Sequence, residues 1–228
     1  DLSELALCLA SGELTSEAVT AASLDALETR GRMLNCVVSV DRERALEAAL
    51  NADRSFSKGK TLGPLHGVPM AHKDLFNRAG HLVAAGSKVR AGYRAKGTAS
   101  VIRRLDAAGA IYCGALHMSE LALSPTGYNA HLGACRNPWN SDFVTGGSSS
   151  GSGAAIGARL VLASLGSDTG GSARIPAAAC GVTGLKPTYG RIAKDGALPL
   201  ASSLDCVSPI AVSAADCALL LDVIAGPE

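Results

Sequence analysis

Three short segments hold residue types that could carry out nucleophilic chemistry together. GGSSSGSGAAIGA starts at Gly146, and GSDTGGSARIP starts at Gly166 after a short apolar stretch. A serine that follows a Gly-Gly pair stands beside bare backbone amides, which suits a nucleophile. The third segment is PMAHKD, far upstream, with Lys73. A serine hydroxyl is a poor nucleophile without a base. Lysine can be that base only when neutral, and its ordinary pKa is about 10.4. Removal from water disfavours the ammonium. Bringing the pKa near 7 costs about 4–5 kcal/mol, at about 1.36 kcal/mol per unit. The combination suggests a serine hydrolase that does not use histidine.

The second segment, Asp168-Thr169-Gly170-Gly171-Ser172, leaves an apolar strand, and a helix is expected from Gly170 onward. Amides at a helix N-terminus are unpaired, with the dipole behind them. Those of Thr169, Gly170, Gly171 and Ser172 are therefore the candidate oxyanion donors. Such donors are worth roughly 2.7–4 kcal/mol each when removed. Taken alone, Ser172 is better read as a helix N-cap in a tight loop, and Lys73 as a surface lysine paired with Asp74; the two serine segments together shift both readings. Other chemistries fit less well. The first segment lacks the GK[ST] ending of a phosphate-binding loop. Gly147-Ser148-Ser149-Ser150-Gly151 matches a nucleophile elbow, which needs a later histidine. All five histidines precede it: His66, His72, His81, His117 and His131. Ser55-x-x-Lys58 sits in a charged loop without partner motifs. His72 and Lys73 point opposite ways in an extended strand, so at most one enters the site.

Alternating helices and strands must position these residues. Asp1 or Ser3 starts a helix that Gly12 stops, and Thr15 caps a second with Glu17 in its first turn. Cys36 to Val40 reads as a strand, Arg42 to about Ser55 as a helix, and Val68 to Lys73 as a strand ending on the candidate base. Thr98 to Ala108 is a helix ended by Gly109, and Ala110 to Leu116 a buried strand. Ser150 to Leu160 is a small-residue helix, Val161 to Gly166 a strand, and Ser213 to Ala225 an amphipathic helix capped by Gly226. This alternation predicts a layered α/β protein with a largely internal sheet.

The bulk numbers exclude several classes. The 228 residues are 47% hydrophobic and 18% charged with a net charge of +1. Such a chain is globular and offers no electrostatic reason to expect nucleic acid or an anionic membrane. No apolar stretch is long enough to span a bilayer and no signal peptide is visible. The seven scattered cysteines form no CxxC pair, so no metal site or cofactor is expected. They read as reduced, buried small residues in a cytoplasmic protein.

Taken together, these motifs resemble the amidase signature family. GPLHGVPMAHKD, GALHMSELALSPTGYNAHLGACRNPWN, GGSSSGSGAA and LGSDTGGSARIPAAACGVTGLKPTYGR carry the resemblance, which covers nearly the whole chain. It implies a layered α/β/α fold with a mixed central β-sheet covered by helices, of which this chain holds the N-terminal half. On that view residues 1–228 form a single amidase domain segment, with a helical region to about residue 56 and a catalytic core after it. The family's serine–cis-serine–lysine triad falls on Ser172, Ser148 and Lys73, with a cis peptide between Gly147 and Ser148. Ser149, Asp168 and Arg174 match positions that support the loops. Ala122, Leu123 and Ser124 match a segment that lines the acyl pocket. Ala173 stands where a branched aliphatic residue is usual, His72 where an aliphatic one is more common, and Cys206 where histidine often stands.

The implied activity is hydrolysis of the C–N bond of a linear carboxamide through an acyl-enzyme. The expected partner is a small-molecule amide, with neither nucleic acid nor membrane, and a homodimer is entertained. The alternative is the amidase (A) subunit of a tRNA-dependent glutamine amidotransferase. Those subunits usually carry an acidic, methionine-bearing run with a serine–threonine–glutamate element. Here Ala122 to Asn129 reads ALSPTGYN, which fits a stand-alone amidase better.

Overall fold

The computed structural model describes residues 1–227. The helices are α1 Leu2–Ser11, α2 Ser16–Glu28, α3 Arg30–Met33, α4 Arg42–Phe56, α5 Ser100–Ala107, α6 Ser150–Gly157, α7 Arg174–Cys180 and α8 Ala214–Ile224. The strands are β1 Val37–Val40, β2 Pro69–Lys73, β3 Ile111–Leu116, β4 Tyr128–Asn129, β5 Gly133–Ala134, β6 Ala163–Asp168, β7 Thr183–Gly184 and β8 Cys206–Ala211.

The early helices start and stop where local chemistry dictates. Asp1 accepts from the Glu4 amide in a capping box, and Gly12 closes α1 at φ 76°. Thr15 accepts from the Ala18 amide at the start of α2. Ser213 and Asp216 form a second capping box at α8. Such caps satisfy amides that have no partner inside the helix.

β1, β3 and β2 form a mixed sheet in that order. β1 runs antiparallel to β3, and β2 runs parallel to it. β6, β8 and β7 form an antiparallel sheet with β8 in the centre. β2 and β6 lie side by side and join the two sheets. Strand alternation then sorts side chains between two cores. Met70, Leu165 and Val207 face one core with Leu2, Leu5 and Leu9 of α1, Ile102 and Leu105 of α5 and Leu220 of α8. Ala71, Ile111 and Ile210 face the other with Leu24 of α2, Ala49 of α4 and Ile156 of α6. The result is a mixed α/β protein in three layers, with helices on both faces.

Three local expectations are corrected. The helix after the first glycine–serine segment ends at Gly157 rather than Leu160, because Arg159 turns left-handed at φ 59°. The helix after the second begins at Arg174, not Gly170. The strand between them starts at Ala163 and runs on to Asp168. The pattern also missed β8: Pro209 breaks its apolar run, and a proline argues against a central strand. All seven cysteines are free, and six are buried. No described helix is long and apolar enough to cross a membrane.

Candidate active site

β2 carries Lys73 into the seam between the sheets. Every residue of the strand is buried, and Lys73 is 1% exposed. Its Nζ lies 2.7 Å from Ser148 Oγ and 2.8 Å from Ser167 Oγ. Among the described residues it forms no ion pair with Asp74, so the paired surface lysine is ruled out. Burial drives the Asp74 pKa up to about 7, and the nearby amides of Gly86, Ala84 and Ala85 only partly offset this. Burial likewise pushes Lys73 down, to about 7, against the attraction of Asp168 and Asp205. An amine at that value is substantially neutral near pH 7 and can accept a proton.

The first glycine–serine segment approaches from α6. The Gly147–Ser148 peptide is cis. Ser148, Ser149 and Ser150 are fully buried. The Ser148 carbonyl accepts from the Ser119 amide at 3.2 Å. The Ser149 amide donates to the Ser172 carbonyl at 3.1 Å, and its hydroxyl accepts from the Ser167 amide at 3.2 Å. Ser149 thus ties this segment to β6 and to the Ser172 loop. α6 can pass so close to the sheet because Gly151 has no side chain: a Cβ there would strike the His117 amide and the Cys36 carbonyl.

The second segment is organised by Asp168, which is fully buried at the end of β6. Its carboxylate accepts from the amides of Gly171 at 2.8 Å and of Ala173 and Arg174 at 3.3 Å. Arg174 adds a two-pronged pair at 2.9 Å for each bond. Burial alone would raise the Asp168 pKa, but the Arg174 guanidinium and these amides hold it below the usual value. Ser172 is half-buried, and its hydroxyl bonds to no protein group among the described residues.

The candidate oxyanion donors need one correction. Gly171 already donates to Asp168, so its amide is not free. The amides of Thr169, Gly170 and Ser172 remain, in an irregular turn before α7 rather than in a helix. Thr169 is held from the side by its hydroxyl, which donates to Asp205.

A cleft of about 270 Å³ opens beside Ser167 and Thr169, with Ala122, Leu75, Leu198 and Val207 in its wall. Of the three residues matched to the acyl pocket, only Ala122 lines it. Leu121 and Ala122 adopt positive φ of 49° and 65°, and the chain then turns outward. Leu123 is 69% exposed, and the Ser124 hydroxyl bonds to Thr126 at 2.9 Å. Ser167 and Asp205 were missed from the sequence. Ser167 sits inside a segment singled out for its glycines, so its position next to Asp168 was the available signal.

A family model named Amidase matches residues 18–228. The A subunit of glutamyl-tRNA(Gln) amidotransferase from Dechloromonas aromatica (strain RCB) is 46% identical over 226 residues, covering 99% of this chain and 46% of that protein. The chain spans about half the length of the curated relatives it matches. Peptide amidase from Stenotrophomonas maltophilia superposes with a TM-score of 0.95 at 38% identity, over 100% of this chain and 48% of that one. A protein from a vestigial complex that bears on the origins of an s-triazine catabolic enzyme gives 0.96 at 40% identity, over 99% of this chain and 50% of that one. A buried lysine on two serine hydroxyls, a braced Gly-Gly-Ser loop and these likenesses converge: the chain belongs to the amidase family.

Proposed function

We propose that this chain carries the acylating machinery for hydrolysis of a carboxamide C–N bond. The observation that carries the reading is the fully buried Lys73 amine, 2.7 Å from Ser148 Oγ, with its pKa lowered to about 7. Neutral Lys73 takes the proton of Ser148, and Ser148 takes that of Ser172. The Ser172 oxygen bonds to the carbonyl carbon, and the amides of Thr169, Gly170 and Ser172 receive the oxyanion. The proton returns through Ser148 to the leaving nitrogen as the C–N bond breaks. Water then attacks the acyl-enzyme by the same relay. The relay requires the Ser172 hydroxyl to turn toward Ser148 when substrate binds, since it is unbonded here. Catalytic hydrogen bonds are commonly incomplete without substrate.

For the biological setting, the curated relatives' names favour the amidase component of a tRNA-dependent glutamine amidotransferase. That name is shared by relatives at 44–50% identity. It weighs against a stand-alone amidase and against the expectation that no nucleic acid is involved. The stand-alone reading keeps the support of the Ala122–Asn129 segment and of solved peptide amidases. Two assays on the full protein separate them. A sulfonyl fluoride label mapped by mass spectrometry should fall on Ser172; labelling elsewhere ends the chemical proposal. Glutaminase activity that depends on copurifying subunits and ATP supports the amidotransferase reading. Turnover of simple amides by the purified chain alone overturns it.

A further inference from the structure

β2 and β6 are neighbours, yet they belong to different sheets and share no backbone ladder. Side chains stitch the seam. Ser164 Oγ donates to the Ala71 carbonyl at 2.6 Å. The Leu165 amide donates to His72 Nδ1 at 3.2 Å. Lys73 Nζ reaches Ser167 Oγ at 2.8 Å. These bonds join consecutive residues of β2 to β6, and His72 makes the middle one.

His72 is 4% exposed. A backbone N–H can only donate, so Nδ1 must hold its lone pair toward Leu165 and the ring proton must sit on Nε2. The ring stacks near Tyr112, with centroids 6.0 Å apart and planes at 29°. The Arg78 guanidinium lies over the other ring, 4.5 Å from its centroid. Burial, and then the charge of Arg78, lower the imidazole pKa to about 3, so it stays neutral throughout the range in which Lys73 titrates. An aliphatic residue of equal size would leave the Leu165 amide without a partner inside a dry seam, which is costly.

We propose that His72 is a positioning residue: its neutral imidazole locks β2 against β6 and thereby holds the Lys73 amine on Ser167 and Ser148, away from water. The proposal rests on the reading of Lys73 as the base. His72 does not touch the reacting atoms. It acts through the strand that presents its neighbour.

The test compares His72→Leu with His72→Asn in the full protein. Asparagine can put a carbonyl oxygen where Nδ1 stood, and leucine cannot. Lys73 is titrated by NMR through labelled ε-carbons, and the pH dependence of Ser172 labelling by a sulfonyl fluoride is followed in parallel. In His72→Leu, water entering the seam should raise the Lys73 pKa by about one unit or more and slow labelling near pH 7 by roughly tenfold. His72→Asn should stay close to the parent in both. A leucine variant with an unchanged lysine titration overturns the proposal, as does an asparagine variant as impaired as the leucine one. Should His72→Leu not fold, the imidazole ¹⁵N shifts of the parent protein decide. A pyridine-like Nδ1 supports the lock, and a protonated Nδ1 overturns it. Failure of the parent to label at Ser172 would count against the proposed function, while the lysine and imidazole titrations would still report on His72.

Discussion

The Lys73 amine lies 2.7 Å from the Ser148 hydroxyl, across 75 residues of sequence. The contact depends on β2 delivering one group and the turn before α6 delivering the other into the same dry seam. Neither group would be useful in water. There the amine would hold its proton and the hydroxyl would have no base.

Activity should therefore rise with pH through about 7, where Lys73 loses its proton. The acidic limb of kcat/KM, or of Ser172 labelling, measures this directly. A limb near the ordinary carboxylate range would assign the base elsewhere.

Lys73→Met should abolish activity yet raise thermal stability at neutral pH. The folded state holds the amine below its ordinary value, so the unfolded chain binds more protons between about pH 7 and 10. Native stability gains with rising pH across that window and is lost as pH falls through the folded value. At pH 7 the penalty is about 4–5 kcal/mol, from roughly three and a half pKa units. Methionine removes that penalty, so the gap in melting temperature between variant and parent should shrink toward pH 10.

Ser172→Ala should lower turnover by roughly a thousandfold or more while leaving the circular dichroism spectrum unchanged. Among the described residues its hydroxyl has no hydrogen-bond partner, so its loss costs the fold little. A variant that retains parental turnover would remove Ser172 from the mechanism.

Asp168→Ala should destabilise by about 1–3 kcal/mol, because it leaves the amides of Gly171, Ala173 and Arg174 without their carboxylate acceptor. Arg174→Ala should cost less, since the arginine side chain is 52% exposed. The Asp168 contribution is present above the unfolded carboxylate pKa, about 3.9, and fades as pH falls through its lowered folded value. Urea titrations of both variants at pH 7 and in acid would check the order and the sign.

Gly151→Ala should destabilise by about 1–3 kcal/mol, since the added carbon meets backbone atoms that cannot rotate away. Chemical denaturation measures it directly, and parental stability would show that α6 can shift.

Much of the site was legible because its signals are local. Gly-Gly-Ser pairs, a lysine closing an apolar strand, and caps such as Asp1, Thr15 and Ser213 depend on a few neighbouring residues. The family motifs name Lys73, Ser148 and Ser172 on the same local grounds. The start of α7 was less legible: Asp168 draws in the amides of Gly171 and Ala173, so the helix begins only at Arg174. β8 was hidden by Pro209, whose missing donor argues against a central strand.

The sequence by itself determined which residues can react, where most helices begin, and the alternation that builds a layered α/β chain. Only the tertiary structure decided that Lys73 is dry, that Ser167 is its second partner, that Gly171 has no amide to spare, and that His72 bridges two strands. Those facts depend on distances between groups many residues apart and on how much water the packing leaves. Neighbouring residues carry no record of either, because both arise only when the sheets close on each other.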